Sequence, residues 1–217
     1  MIIEFCHYDF SGEERETKAV IEQAIKSSPS AIFVLPYYLK TAKKIIPSHI
    51  QTGCIIDYPF GLSCVSSRVN EINRIKSSQP DIINLVCPTN VLCNRKYDKF
   101  REEIDLVLEE LADTNIKIRY VLEYKICSLN LLHKIADILH QKSINVIYPS
   151  SGYLLDNVAD NLLASFLINK KYPNIHIISN GPAWTNKQIL SITKNKIYGF
   201  QTGNIHTLKN ISEKLDK

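Results

Sequence analysis

The chain has 217 residues, 45% of them hydrophobic, and a formal charge of +4 at pH 7. That length and apolar share suffice for one large core, and no apolar run approaches the roughly 18 residues of a membrane-spanning helix. The basic excess is mild and holds no run of Lys and Arg, so neither nucleic acid nor a membrane is an expected partner.

Eight short apolar runs rich in Ile, Val and Tyr alternate with stretches of helical period. The first run, 2–8, is followed by a helical pattern over 13–27 that puts Val20, Ile21, Ala24 and Ile25 on one face, with Ser11 and Glu14 as its capping box. Runs at 31–37 and 53–58 come next. A helical stretch over 67–76 then carries Val69, Ile72 and Ile75. Beyond the run 81–88, the stretch 97–112 aligns Phe100, Ile104, Val107, Leu108 and Leu111. The run 117–124 leads to a helix over 129–141 capped by Ser128, and the run 144–150 to one over 157–169. After the run 175–179, Thr185 and Gln188 form a second capping box that opens a helix over 186–193. The run 196–201 and a helix over 205–215 close the series. Pro47, Pro59, Pro80 and Pro173 fall between elements, where a missing N–H is tolerated.

Nearly continuous apolar runs suit strands of a parallel sheet buried on both faces. Eight alternations predict an α/β chain folded as a single (β/α)8 TIM barrel spanning 1–217. An open doubly wound sheet would want a Gly-rich loop after its first strand, and Ser11-Gly12 is not one. The six cysteines form no Cys-x-x-Cys pair and no Cys/His group at zinc spacing, so neither a metal nor a cofactor is expected. The first residues, Met1-Ile2-Ile3-Glu4, do not read as a signal peptide, and a reduced, cytoplasmic chain is expected.

A barrel of this kind works at the carboxyl ends of its strands. Those ends offer Cys6, His7 and Asp9, then Tyr37 and Tyr38, Asp57 and Tyr58, Asn84 and Cys87, Arg119 and Glu123. The later strands end in Tyr148, Ser150 and Ser151, in Ser179 and Asn180, and in Gln201 and Thr202. Alternation sets Arg119, Val121 and Glu123 on one face and Tyr120, Leu122 and Tyr124 on the other. The outer face packs on apolar helices, so Arg119 and Glu123 are expected inside. There they would form a structural ion pair or a ligand-binding, catalytic one.

Six short motifs occur in order at barrel positions. They are Ile32-Phe33-Val34-Leu35-Pro36, Ile55-Ile56-Asp57-Tyr58-Pro59-Phe60-Gly61, Ile82-Ile83-Asn84-Leu85-Val86, the segment 117–123, Tyr148-Pro149-Ser150-Ser151-Gly152-Tyr153, and Ser179-Asn180-Gly181 followed by Trp184-Thr185. In these the chain resembles the deoxyribose-phosphate aldolases, the class I aldolases of the DeoC type, over about residues 31–208. The resemblance implies a Schiff-base Lys at 148, a second Lys at 177, an Asp at 84 and a Lys at 119. The chain has Tyr148, Ile177, Asn84 and Arg119 instead. It also implies a phosphate site after strands seven and eight, of which Asn180-Gly181-Pro182 and Gln201-Thr202-Gly203-Asn204 keep only part.

A Schiff base needs an amine, which neither Tyr nor an always-protonated Arg supplies. The first reading is therefore an enzyme acting without an imine on a small oxygenated or anionic metabolite, by lyase, isomerase or cyclisation chemistry. Glu123, Tyr148, Arg119 and Asn84 would be catalytic, and Cys6, Ser150, Ser179, Asn180, Gly181 and Gln201 would bind the substrate. The alternative is a catalytically inactive pseudo-aldolase serving as a binding or partner subunit, with Tyr37, Tyr38 and Tyr58 marking an interface. A homo-oligomer or a pathway protein would then be the partner.

Overall fold

Parallel strands need crossovers long enough to return the chain, and here each apolar run is followed by an amphipathic segment that supplies one. The structure is a computed structural model that describes residues 1–10, 12–154, 157–195 and 197–215. The strands are β1 (Ile2–His7), β2 (Ala31–Val34), β3 (Gln51–Ile56), β4 (Ile82–Val86), β5 (Lys117–Val121), β6 (Val146–Tyr148), β7 (His176–Asn180) and β8 (Gly199–Thr202). They close into a barrel in sequence order, and every neighbouring pair is parallel, β1 with β8 included. The helices are α1 (Glu14–Ile25), α2 (Leu39–Ile45), α3 (Val65–Lys76), α4 (Thr89–Cys93), α5 (Tyr97–Leu111), α6 (Leu129–Gln141), α7 (Val158–Lys171), α8 (Asn186–Lys194) and α9 (Ile205–Leu215). The chain is a (β/α)8 TIM barrel. Among the described residues, no helix is long and apolar enough to cross a membrane.

The main core lies between strands and helices, where Phe5, Ile83, Tyr120, Ile177 and Phe200 meet Ile21, Ile104 and Ile135. Alternate residues form two smaller clusters inside the barrel: Ala31, Phe33 and Ile82 in one, Ile55, Val86, Val121, Tyr148 and Ile178 in the other. Gly53 makes room for the inner layer, because a Cβ there would stand 2.3 Å from Phe33 Cε1. Phe33 in turn meets Tyr148 edge-on, with centroids 6.5 Å apart.

Two points differ from the sequence reading, and a third position is placed by the structure. The box that opens α1 is Glu13 with Glu16; Ser11 lies outside the described residues. The short helices α2 and α4 were not expected, having too few residues to show a period. On β7 the inward residue is Ile178, whereas Ile177 packs outward in the main core. The position that the resemblance gives to a second Lys therefore faces the helices.

Candidate functional site

A four-residue network crosses the inside of the barrel. Glu4 on β1 is its centre. Arg119 Nη1 on β5 donates to Glu4 Oε1 at 2.6 Å and to Tyr148 Oη at 2.8 Å. Tyr148 on β6 donates its own proton to Glu4 Oε2 at 2.6 Å, and Gln201 on β8 reaches the same oxygen at 3.3 Å. All four are buried. Burial raises the Tyr148 phenol well above its ordinary range, Glu4 adds to this, and Arg119 and the nearby Asn84 amide only partly offset it. Tyr148 therefore stays protonated. Burial opposes the Arg119 charge, but Tyr148 and Glu4 outweigh it and hold the guanidinium above its usual value. Asn84 pairs in register with Arg119. Its amide sits near Tyr148, and neither its Oδ1 nor its Nδ2 has a well-formed hydrogen bond among the described residues.

Above this floor, a cavity of about 390 Å³ opens at the carboxyl mouth. The ends of β1, β7 and β8 and the loops after β3 and β6 line it, with Cys6, Tyr8, Asp9, Tyr58, Ser151 and Trp184 among its walls. Cys6 faces in, as its alternation with Phe5 requires, and its thiol is raised by burial and by Glu4. His7 lies within 3.4 Å of Thr17 Oγ1 on α1, and burial lowers its pKa against the opposing charge of Asp9. Aromatic rings stack across one side of the mouth. Tyr8 and Tyr58 have centroids 4.9 Å apart, Phe10 stacks on Tyr58 at 5.5 Å, and Tyr153 meets Phe60 at 5.4 Å.

The loop carrying Tyr58 and Phe60 is tied from behind. Asp57 accepts from Ser63 Oγ at 2.8 Å and lies 3.5 Å from Arg68 Nε on α3. Arg68 is buried, pairs with Glu103 of α5 at 3.2 Å, and donates to the carbonyl of Val86. Asp57 is thus not a loose carboxylate awaiting a metal. Among the described residues, no group of three or more His, Cys, Asp or Glu is placed to hold one.

The expected site residues do not all come together. Arg119, Tyr148, Asn84 and Gln201 come together on the floor. Cys6, Asn180, Gly181 and Gln201 line the cavity. Glu123 is buried two residues past the end of β5, and Arg119 is ion-paired with Glu4. Glu123 instead accepts from Ser151 N at 3.2 Å and Ser151 Oγ at 2.6 Å, one wall away from the cavity. Ser179 is a correction: it faces α7, where its hydroxyl meets Ser165 Oγ at 2.6 Å. Ser150 is buried, with its hydroxyl accepting from Gly152 N at 2.9 Å. Tyr38 and Tyr58 are not free surface either, since Tyr38 is buried and bonded to the Gly12 carbonyl and Tyr58 sits in the aromatic stack. Of that trio, only Tyr37 stands out in solvent.

No family model matches the chain. It is 24% identical over 135 residues to a deoxyribose-phosphate aldolase of Metamycoplasma arthritidis, a match covering 62% of this chain and 61% of that one. Among solved structures, an aldolase called QR15 superposes with a TM-score of 0.85 at 18% identity, covering 98% of this chain and 93% of its own. A deoxyribose phosphate aldolase from Aeropyrum pernix, described as a unique tetramer, gives 0.83 at 10% identity, covering 98% and 90%.

Proposed function

We propose that this chain, a divergent relative of the deoxyribose-phosphate aldolases, binds a small oxygenated metabolite at the carboxyl mouth of its barrel and acts on it without an imine. The observation that carries the reading is the floor. Tyr148 holds the barrel's centre between Glu4 and Arg119, and no Lys is buried among the described residues. A protonated phenol cannot attack a carbonyl as an amine would, and it would donate to one only by giving up its bond to Glu4. Arg119 keeps its proton and supplies fixed positive charge. Ser151 lines the cavity and donates to Glu123, so a proton taken from substrate by the serine oxygen would pass to that carboxylate. Such a set suits lyase, isomerase or cyclisation chemistry at a carbonyl.

One observation favours the second reading, an inactive binding or partner subunit. Glu4, Arg119, Tyr148 and Glu123 do not line the cavity and are hydrogen-bonded to protein groups. The first reading is preferred because a buried ion pair is costly to desolvate, and aliphatic side chains would fill a barrel under no chemical demand more stably. The test is borohydride trapping with deoxyribose 5-phosphate and a panel of small aldehydes and ketones, read by mass spectrometry. No lysine adduct is expected beside a control aldolase that forms one, and an adduct on a specific Lys overturns the proposal. Glu123→Gln then separates the two readings. It abolishes turnover at unchanged melting temperature under the first, and moves only stability under the second.

A further inference from the structure

We propose that the mouth cavity takes an uncharged, hydroxyl-rich small molecule, a free sugar or polyol, and discriminates against phosphate esters. The inference rests on the reading above that this cavity is the substrate site, and it narrows what the substrate is.

Charge is the first argument. Among the described residues lining the cavity there is no Lys and no Arg, and the formal charge they carry is the carboxylate of Asp9. His7, the remaining candidate cation, is held below its ordinary pKa chiefly by burial. An anion entering here would meet no Lys or Arg among the described lining residues. The floor guanidinium of Arg119 is already neutralised by Glu4.

Backbone donors are the second. Helix N-termini and Gly-rich turns hold phosphate through free N–H groups, and the loops after β6, β7 and β8 would be the place for them. Seven of those groups are engaged internally. Gly152 N is bonded to Ser150 Oγ at 2.9 Å and Gly181 N to the Gln201 carbonyl at 3.1 Å. Trp184 N and Thr185 N both go to Gln188 Oε1, at 2.8 and 3.0 Å, and Ala183 N to Thr207 Oγ1 at 3.0 Å. Ahead of α9, Asn204 N is bonded to Thr202 Oγ1 at 3.1 Å, and Thr207 N to Asn204 Oδ1 at 2.8 Å. A phosphate drawing on these donors would have to displace the side-chain caps that hold them.

The walls are the third. Tyr8, Tyr58 and Trp184 line the cavity, and aromatic side chains with a polar tip are the kind that cover the C–H face of a sugar. Tyr8 Oη lies buried near Cys6, Tyr148 and Glu4 without a hydrogen-bond partner among the described residues. A ligand hydroxyl reaching it would join the cavity to the floor.

Trp184 is the chain's single Trp, lines the cavity and is 69% exposed, so its fluorescence reports occupancy directly. The experiment titrates the full chain with 2-deoxyribose, ribose and erythritol, with their phosphate esters, and with inorganic phosphate, each paired with calorimetry. Saturable binding of a free compound is expected, with its ester and inorganic phosphate weaker by about tenfold or more. An ester that binds as tightly as its free form, or more tightly, overturns this inference and leaves the mouth as the substrate site. Binding of no compound in either readout overturns both the inference and the reading beneath it.

Discussion

A carboxylate inside a parallel barrel is costly to desolvate, and Glu4 is tolerated because Arg119, Tyr148 and Gln201 converge on its two oxygens. Arg119→Met would leave that charge buried without its cation. It should cost about 3–5 kcal/mol of unfolding free energy in urea titrations. The double variant Glu4→Gln with Arg119→Met should recover most of the loss, and a double variant as unstable as the single would refute the pairing. Alternation along β1 already sets Glu4 on the face of Ile2 and Cys6. Its partners, however, stand 115 and 144 residues away, and no local pattern reveals a contact of that span. The same limit misdirected the reading of Glu123, whose neighbour on the strand looked like a partner. Cysteine chemistry divides as burial dictates. Cys64 is exposed before α3, and hydrogen bonds with Ser66 and Ser67 bring its thiol down to about 7, whereas burial pushes Cys54 up to about 12. Limiting iodoacetamide at neutral pH should therefore label Cys64 well ahead of Cys54 and Cys87. Peptide mass spectrometry showing comparable labelling at all three would contradict that order.

Helix α7 is joined to β7 by polar bonds as well as by packing. Asn161 Nδ2 donates to Asn180 Oδ1 at 2.6 Å and Asn161 Oδ1 accepts from Asn180 N at 3.0 Å, while Asn180 Nδ2 reaches the Ser150 carbonyl at 2.6 Å. One asparagine on a helix thus fixes the strand end that forms a wall of the mouth. Asn161→Ala leaves the Asn180 N–H without that acceptor, in a place closed to water. A loss of about 1–3 kcal/mol in urea unfolding is expected, and a variant as stable as the parent would show the lock to be idle. Elements of this length were legible because their period runs over three turns or more. Helix α2, with seven residues, offers only Leu39 and Ala42 as buried positions and leaves no such record. Boundaries were legible where a side chain sets them, as with Ser128 before α6 and Thr185 before α8. At the start of α1 two acceptors stand close in sequence, and the later pair, Glu13 with Glu16, makes the box.

Solved barrels superpose on this one over 98% of its length at 18% and 10% identity, so the architecture depends on the alternation of apolar strand and amphipathic helix far more than on particular side chains. That is why the fold was readable from the sequence while the network inside it was not. Closure leaves no open sheet edge, since β1 pairs with both β2 and β8. The floor has a further requirement, because Glu4 draws its partners from β5, β6 and β8. A fragment covering residues 1–195, lacking β8, should melt without a cooperative transition by circular dichroism, and adding the peptide 196–217 should restore one. A fragment that melts cooperatively alone would show that the barrel does not need its last strand. Glu4 is thus held by partners from three later strands, so its charge is matched only once β5 and β6 have been brought round the barrel to β1, and the polar interior reports closure in a way that the apolar core does not.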